Sequence, residues 1–171
     1  LIAARPPKSV KKHGKQIMVY QNLLYKIGGI EAADYNLARQ YKDRNIVFVF
    51  RQADLEQILR LAAYCEAKVE TGEEQYETDI LILANYDAYQ YIEGRVKAKK
   101  IYQQVHADWA NMKKLPIWYD FRWQPAKEVD KVLAVSETAA KGIKTAFDKP
   151  IESVVVPNIL CEPEKSDFKV F

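Results

Sequence analysis

The sequence is poor in cysteine, and the cysteines it has form no paired motif. Cys65 and Cys161 stand far apart, without a Cys-x-x-Cys motif or a series of regularly spaced cysteines. This pattern excludes a small scaffold held together by several disulfides and is typical of a reducing compartment. Histidine, cysteine and carboxylate residues do not occur at metal-ligand spacing, so we expect no zinc site.

Long apolar runs and concentrated charge are missing too. No run approaches the roughly 20 residues that cross a bilayer, and the first residues lack a full signal-peptide pattern. The net charge of +3 is small, whereas a dedicated nucleic-acid binder usually carries a concentrated basic face. The clearest basic cluster, which we interpret as a solvated tail, consists of Lys8, Lys11, Lys12 and Lys15. We expect a cytoplasmic protein with no nucleic-acid partner.

Short apolar runs alternate along the chain with segments of helical periodicity. Six runs predict strands: residues 16–20, 46–50, 79–84, 100–105, 132–135 and 153–156. A shorter edge strand is predicted at residues 67–71. A helix is predicted at residues 29–43, another after Asp54, whose spacing to Gln57 indicates a capping box, and a third after Ser136 as N-cap. The alternation predicts an α/β fold, a Rossmann-like, three-layer domain with a mostly parallel sheet.

The regular pattern covers residues 15–160 and predicts one domain there. Residues 1–14, with two adjacent prolines and several lysines, predict a flexible leader. Residues 161–171 predict the start of a linker, because they combine proline with many charged residues and show no periodicity. A linker at this place predicts a second domain in the complete protein.

Polar residues follow the predicted strands, and parallel strands bring their carboxyl ends to one crevice, where open α/β sheets bind ligands. Gly28 and Gly29 lie between a strand and a helix, where glycines permit a tight bend and close approach of a ligand. The free amides and the dipole of the helix N-terminus suit a phosphate. The pair is not a G-x-G-x-x-G motif and lacks the P-loop lysine, so a plain tight turn is an equal alternative.

His106 follows the apolar run at residues 100–105, at the carboxyl end of a predicted strand. From this place it would hydrogen-bond a sugar hydroxyl or a phosphate, or act as an acid or base. Asp108, two residues further on, would orient the ring or bind a hydroxyl. A purely structural histidine is the alternative.

Further candidates for lining the crevice directly follow other strands: Asn85, Tyr86 and Asp87 after the third, and Arg51 and Gln52 after the second. Ser136 and Glu137 open the last predicted helix, and an N-cap followed by a first-turn acid explains them without a ligand. No G-x-S-x-G elbow surrounds Ser136, so we expect no hydrolase nucleophile there.

The segment from Trp109 to Trp123 combines aromatic residues with lysine and arginine. Aromatic faces stack on sugar rings, and surfaces of this composition also lie at membrane interfaces. Peripheral contact with the inner face of the membrane therefore stays open. The alternative is a packed loop or short helix that covers the sheet.

Four short stretches follow one another along the chain: Lys26–Glu31 with Tyr35–Ala38, Gln104–Asp108, Val129–Glu137 and Val154–Asn158. Together they resemble the N-terminal half of a GT-B glycosyltransferase of the retaining family 4 type. Each stretch is short and degenerate, but their order and spacing match over residues 15–160.

The resemblance implies an enzyme of the hexosyltransferase type. The chain would be its acceptor-side domain, and the enzyme would move a sugar from a nucleotide-sugar donor to a glycan or lipid-linked acceptor, with retention of anomeric configuration. Many members of the family help to build bacterial surface polysaccharides. The nucleotide-sugar would be a co-substrate, with no cofactor and no metal expected, and the absence of an Asp-x-Asp pair after a strand fits that expectation.

The resemblance also implies roles for particular residues. Gly28 and Gly29 would approach the donor diphosphate. His106 would be the catalytic residue that contacts the donor sugar near the reacting centre. Asn158 would lie at the hinge into the C-terminal domain. The acceptor would bind mainly against this half of the enzyme.

The chain departs from the family in its C-terminal part. The family's second domain binds most of the nucleotide and carries a paired-glutamate motif, which Glu162 and Glu164 in the linker cannot replace, so we expect the isolated chain to be inactive. Ile159 follows Asn158 where a glycine is common. Two other functions stay open: a non-catalytic module of the same fold that binds a glycan, a phosphorylated ligand or a partner chain, and a two-domain nucleotide-sugar epimerase.

Overall fold

A computed structural model of the chain describes residues 3–4, 13–25, 28–115, 129–146 and 152–160. In these ranges strands and helices alternate. The strands are β1 (Ala3–Ala4), β2 (His13–Leu24), β3 (Arg44–Ala53), β4 (Glu66–Val69), β5 (Tyr76–Leu83), β6 (Val96–Val105), β7 (Lys131–Ala134) and β8 (Ser153–Val155). The helices are α1 (Gly29–Gln40), α2 (Leu55–Ala62), α3 (Tyr89–Ile92), α4 (Trp109–Met112) and α5 (Glu137–Ala146).

The strands of the described chain form one sheet in the order β1-β4-β3-β2-β5-β6-β7-β8. The strands from β2 to β8 run parallel to their neighbours. The two-residue strand β1 runs antiparallel to β4 at one edge. The α/β fold with a mostly parallel, Rossmann-like sheet is therefore confirmed, and each of the predicted strands is present.

The order of the strands reverses at the centre of the sheet. From β2 the chain builds β3 and β4 on one side and then returns to place β5 on the other side of β2. From β5 it builds outward again through β6, β7 and β8. Because the strands are parallel, the carboxyl ends of β2 and β5 lie side by side at this reversal, and ligands of such sheets bind there.

Alternating residues of the central strands supply the cores on the two faces of the sheet. Val19 of β2 packs in a cluster with residues of α1 and α2. Its neighbours Met18 and Tyr20 point to the opposite face and pack with residues of α3. Val132 packs with α4 and α5, on the face that also holds α3. Helices thus cover both faces of an apolar sheet, which confirms the three-layer arrangement.

The ends of the elements differ from the predictions in specific ways. Ser136 caps α5 as predicted, because its Oγ accepts a hydrogen bond of 3.2 Å from the Ala139 amide. Asp54 precedes α2, but its side chain makes no capping hydrogen bond, so the predicted capping box with Gln57 is wrong. The Asp54 amide donates instead to the Leu24 carbonyl at 2.9 Å, and this backbone contact with β2 fixes the entry to the helix.

Within the predicted leader at residues 1–14, the structure describes residues 3–4 and 13–14. Ala3–Ala4 pairs with Ala67 and Lys68 of β4, and His13 and Gly14 already belong to β2. Because β1 lies outside β4, the predicted edge strand at 67–71 is the second strand from the edge. The predicted linker at residues 161–171 lies outside the described residues.

The aromatic segment is described only in its first part. Trp109 begins α4 and is 2% exposed, packed among residues of β6, β7 and α5. For this residue the packed alternative is confirmed. The aromatic residues from Trp118 to Trp123 lie outside the described residues.

Candidate functional site

Buried polar side chains surround the carboxyl end of β5 at the strand reversal. Gln21 and Asn22 lie near the end of β2, and Gln103 lies near the end of β6, so the three flank β5 from both sides. Gln21 and Gln103 are fully buried, and Asn22 is 8% exposed. Polar groups are removed from water only where hydrogen bonds compensate, so their partners define the local architecture.

Asn22 joins three segments at the reversal. Its backbone amide donates to Asn85 Oδ1 at 2.9 Å, and its Nδ2 donates to Asp87 Oδ2 at 2.7 Å. Its Oδ1 accepts from Arg51 Nη1 at 3.1 Å. One side chain of β2 therefore orients both the loop after β5 and an arginine at the end of β3.

Gln103 fixes the end of β5 from the other side. Its Nε2 lies 3.0 Å from the Leu83 carbonyl oxygen and 2.9 Å from the Asn85 carbonyl oxygen. On β2, Gln21 Nε2 donates to the Leu23 carbonyl at 2.6 Å. Among the residues that the structure describes, Oε1 of Gln21 and Oε1 of Gln103 have no hydrogen-bond partner, and both remain acceptors beside the strand reversal.

The N-terminus of α1 begins at Gly28 and Gly29, both exposed. Gly28 is the N-cap, with extended backbone angles, and its amide donates to Glu31 Oε2 at 3.1 Å. A Cβ on Gly28 would stand 2.7 Å from that oxygen, whereas a Cβ on Gly29 would meet no atom of the described residues within 4 Å. Gly28 therefore leaves room for the Glu31 carboxylate.

Asp34 lies one turn beyond Glu31 on α1 and is 2% exposed. Burial, and secondarily the negative charge of Glu31, raise the pKa of the Asp34 carboxyl well above its ordinary range. Its Oδ2 has no hydrogen-bond partner within the described part of the chain. Both effects favour the neutral, protonated carboxyl over the carboxylate in the folded protein.

His106 directly follows β6, at the carboxyl edge of the sheet, as predicted. It is half-buried, and burial lowers the pKa of its imidazole. No described residue hydrogen-bonds its buried Nε2. Burial therefore favours the neutral imidazole over the imidazolium.

Asn85 and Tyr86, predicted to line the crevice, have structural contacts in the described chain. The side chain and the carbonyl of Asn85 both accept hydrogen bonds, from Asn22 and from Gln103. Tyr86 packs against the apolar cluster of Val132 and α5, and burial raises the pKa of its hydroxyl. Both residues shape the crevice at the strand reversal through packing and backbone contacts.

Asp108, Ser136 and Glu137 lie at helix starts. Asp108 caps α4, since its Oδ1 accepts from the Ala110 amide at 3.0 Å and its Oδ2 from Asn111 Nδ2 at 2.7 Å. In the described chain no hydrogen bond joins Asp108 to His106. Ser136 caps α5, and Glu137 is exposed in its first turn, so the structural alternative accounts for the contacts seen at all three.

Asn158, the predicted hinge residue, is exposed and follows β8. The next residue is tied to the helix that begins at the two glycines, because Asn36 Nδ2 of α1 donates to the Ile159 carbonyl at 2.9 Å. The segment that follows β8 is thus in direct contact with α1.

The described residues contain no group of three or more histidine, cysteine or carboxylate side chains placed to hold a metal ion. Within the same ranges, no helix has the length and apolar character needed to cross a membrane.

No protein-family model matches the sequence, and no curated protein matches it either. Among solved structures, the chain is similar to Anabaena Alr3699/HepE in complex with UDP-glucose, with a TM-score of 0.58 and 12% sequence identity. The match covers 83% of this chain and 43% of that chain, so this chain spans less than half the length of HepE. The likeness shows that the chain shares the Rossmann-like α/β fold of the matched part of HepE.

Gln21, Asn22 and Gln103 were not predicted as site residues from the sequence. The sequence does contain a signal for them, because each is an amide residue inside or beside an apolar run that otherwise predicts a buried strand. A polar side chain at such a position must find partners or serve a site. Which partners it finds depends on the order of the strands in the sheet.

Proposed function

We propose that the chain is the acceptor-side domain of a nucleotide-sugar-dependent glycosyltransferase of the retaining, GT-B type. The observation that carries the proposal is the shared fold with HepE, which was solved with UDP-glucose bound. Two features at the carboxyl edge of the sheet support it: the glycine-led N-terminus of α1 and the neutral His106 after β6. Membership of family 4 is part of the proposal.

The proposed chemistry begins with the donor diphosphate, the leaving group of the reaction. The first amides of α1 have no carbonyl partner within the helix, and its dipole places partial positive charge there. Gly29 leaves open space beside these amides. Amides aimed at the diphosphate would stabilise the negative charge that develops as the bond to the sugar breaks.

In this proposal His106 contacts the donor sugar. A neutral imidazole donates or accepts one hydrogen bond with a sugar hydroxyl without adding a charge that would oppose positive charge developing on the sugar. Burial keeps the ring neutral. Among the described residues its buried Nε2 has no hydrogen-bond partner.

The remaining parts of the proposal concern the whole enzyme. A second Rossmann-like domain, joined through a hinge at Asn158, binds most of the nucleotide and closes over the donor, which excludes water from the reaction. The acceptor is a glycan or a lipid-linked sugar of bacterial surface polysaccharide synthesis. No metal takes part, and the isolated chain is inactive.

The test is transfer of labelled glucose from UDP-glucose by the intact protein that carries this chain, with product separated into lipid-soluble and water-soluble fractions. The chain contains two histidines, His13 and His106, which provide a matched pair. His106→Ala should lower turnover by about a hundredfold or more, and His13→Ala, at the opposite end of the sheet, should leave it unchanged. Equal turnover in the two variants would remove His106 from the mechanism. A product with the opposite anomeric configuration would exclude the retaining type.

A non-catalytic binding module is the second candidate, favoured by a ligand-sized pocket that does not include His106. Under this function the intact protein binds UDP-glucose or a glycan without producing a new glycoside. A binding measurement beside the transfer assay separates the two candidates, because the module gives saturable binding with no product. An epimerase would instead return an altered nucleotide-sugar.

A further inference from the structure

A pocket of about 340 Å³ lies beside the strand reversal, at the carboxyl ends of β3 and β4. Arg51 and Gln52 of β3 line one side, and Glu70 and Thr71 after β4 line another. Tyr91 of α3 and Arg95, which precedes β6, complete the wall. Its volume is at the small end of the range for ligand pockets, so it suits one chemical group or one small ring.

The acidic residue of the pocket is already neutralised. Glu70 Oε2 lies 2.7 Å from Arg95 Nη2, and the Glu70 side chain is 3% exposed. Its other oxygen accepts a hydrogen bond from the Tyr20 hydroxyl. Arg95 is committed as well, because its guanidinium also donates to the backbone carbonyls of Tyr91 and Glu74. This pair therefore adds little net charge to the pocket.

Arg51 carries a positive charge in the pocket that no ion pair with a described residue compensates. Its guanidinium carbon lies 4.2 Å from the centre of the Tyr91 ring, and its Nη1 donates to Asn22 Oδ1. Within the described chain no carboxylate pairs with Arg51. The nearest acid along this network, Asp87, is bound to Asn22 instead. The aromatic ring and the amide hold the guanidinium in place and leave several of its N–H donors unused.

A fixed guanidinium with unused donors recognises planar or tetrahedral oxyanions, because its donors match two oxygens at once. We propose that this pocket, the Arg51 pocket, binds an oxyanion group, a carboxylate or a phosphate, carried by the acceptor. Assignment of the group to an acceptor rests on the proposed function. Gly28, Gly29 and His106 are not among the residues of the pocket, so the oxyanion is distinct from the donor diphosphate.

The test titrates the 171-residue chain with inorganic phosphate, with glucuronate and with neutral glucose, at constant ionic strength. Binding is followed by calorimetry and by the backbone amide signals of Thr71 and Gly72. One of the two anions should bind saturably and shift these signals, and glucose should not. Tighter binding of phosphate indicates a phosphorylated acceptor, and tighter binding of glucuronate indicates an acidic sugar.

Arg51→Gln should weaken binding of the preferred anion by about tenfold or more, because a charge-assisted, two-pronged contact is lost. The chain offers a matched control in Arg60, which also lies over a tyrosine ring, 4.4 Å from the centre of Tyr35. Arg60→Gln removes the same charge and the same type of contact outside the pocket, and it should leave binding unchanged. Arg51→Lys keeps the positive charge and should bind the anion with an affinity between those of the unmodified chain and Arg51→Gln. This variant replaces Arg51→Gln in the test if Arg51→Gln does not fold.

The proposal is overturned if neither anion binds the unmodified chain, or if Arg51→Gln and Arg60→Gln weaken binding equally. Glucose binding at the level of the anions would also overturn it. UDP-glucose transfer by the intact protein is measured separately. If the intact protein transfers no glucose but its anion binding depends on Arg51, the proposed function fails and the oxyanion site is retained. If the protein transfers glucose but anion binding does not depend on Arg51, the oxyanion site fails and the proposed function is retained.

Discussion

The amide of Gly28 donates to the carboxylate of Glu31 at 3.1 Å, so a negative charge of the protein occupies the N-terminus of α1. The same carboxylate lies 3.4 Å from Gln21 Nε2, a fully buried side chain of β2. Glu31 therefore connects the start of the helix to the polar residues at the strand reversal. A diphosphate arriving at this helix meets both the favourable amides and the unfavourable carboxylate.

Glu31→Gln should strengthen the binding of UDP-glucose to the chain. The neutral amide keeps the length of the side chain and removes the repulsion between a carboxylate and a diphosphate. It should lower the free energy of unfolding by about 0.3–1 kcal/mol, because a first-turn acid stabilises a helix. Calorimetry and thermal unfolding measure the two effects. Weaker binding by the variant would mean that the diphosphate does not lie at this helix.

Gly142→Ala should destabilise the fold by about 1–3 kcal/mol. A Cβ at this position of α5 would stand 2.4 Å from Asp108 Oδ1 and 3.0 Å from the Trp109 amide nitrogen. Part of that contact is with backbone, so α4 and α5 must move apart. Gly29→Ala is the matched control in another helix, because its Cβ would meet no atom of the described residues within 4 Å. Denaturant unfolding of both variants checks this, and equal stability would show that the two helices are less tightly packed than described.

Asp34→Asn should change how stability depends on pH. The pKa of Asp34 is raised in the folded protein, so above the ordinary carboxyl pKa of 3.8 the folded state holds more protons than the unfolded state. Stability of the unmodified chain therefore falls as the pH rises from about 4 towards the raised pKa, and the variant lacks this loss. The advantage of the variant should grow with pH across that window in thermal unfolding.

Asp130→Asn is the control for Asp34→Asn, because its effect on the pH dependence of stability should have the opposite sign. Lys100 and the Ile101 amide lower the pKa of Asp130, so its stabilising effect is present above the ordinary pKa and is lost as the pH falls. This variant should therefore be at a disadvantage at neutral pH. Parallel pH profiles for the Asp34 and Asp130 variants would contradict the assignment of Asp34 as a buried, neutral acid.

His106→Asn should make the fold less sensitive to mild acid. Burial lowers the pKa of His106, so below the ordinary value of 6.5 the unfolded state binds more protons than the folded state. Stability of the unmodified chain is therefore lost as the pH falls below 6.5 towards the lowered pKa of His106. The variant without the imidazole ring should not show this loss. His13→Asn is the control, because His13 is exposed. Identical profiles for all three proteins would show that His106 is freely solvated.

The sequence predicted the order of the elements well because apolar runs and helical periodicity report burial directly. It placed the end of the first strand at Tyr20, since Gln21 and Asn22 are polar. In the structure β2 continues to Leu24, paired residue by residue with β3. A polar side chain interrupts an apolar run but does not interrupt backbone pairing, and its burial depends on neighbours that the sequence alone does not place.

Residues of the candidate site could be predicted only where each lies directly after one predicted strand. Gly28 and His106 could be found because each follows an apolar run. Arg51 and Gln52 were predicted in the same way, as crevice-lining residues after the second strand. Their pocket with Glu70 and Tyr91 could not be predicted, because it joins the ends of β3 and β4 to α3 and depends on the order of strands. The short helices α3 and α4 have few residues, too few for a periodic pattern to emerge.

The most direct test of a nucleotide-sugar site at the strand reversal is the location of UDP-glucose on the chain, measured from backbone amide signals during a titration into millimolar concentrations. Such a site predicts saturable shifts for Gly28, Gly29 and His106 at the carboxyl edge of the sheet, with Asp79 and Asp130 near the opposite edge unchanged. No saturable shift, or shifts confined to the opposite edge, would contradict a nucleotide-sugar site at the strand reversal.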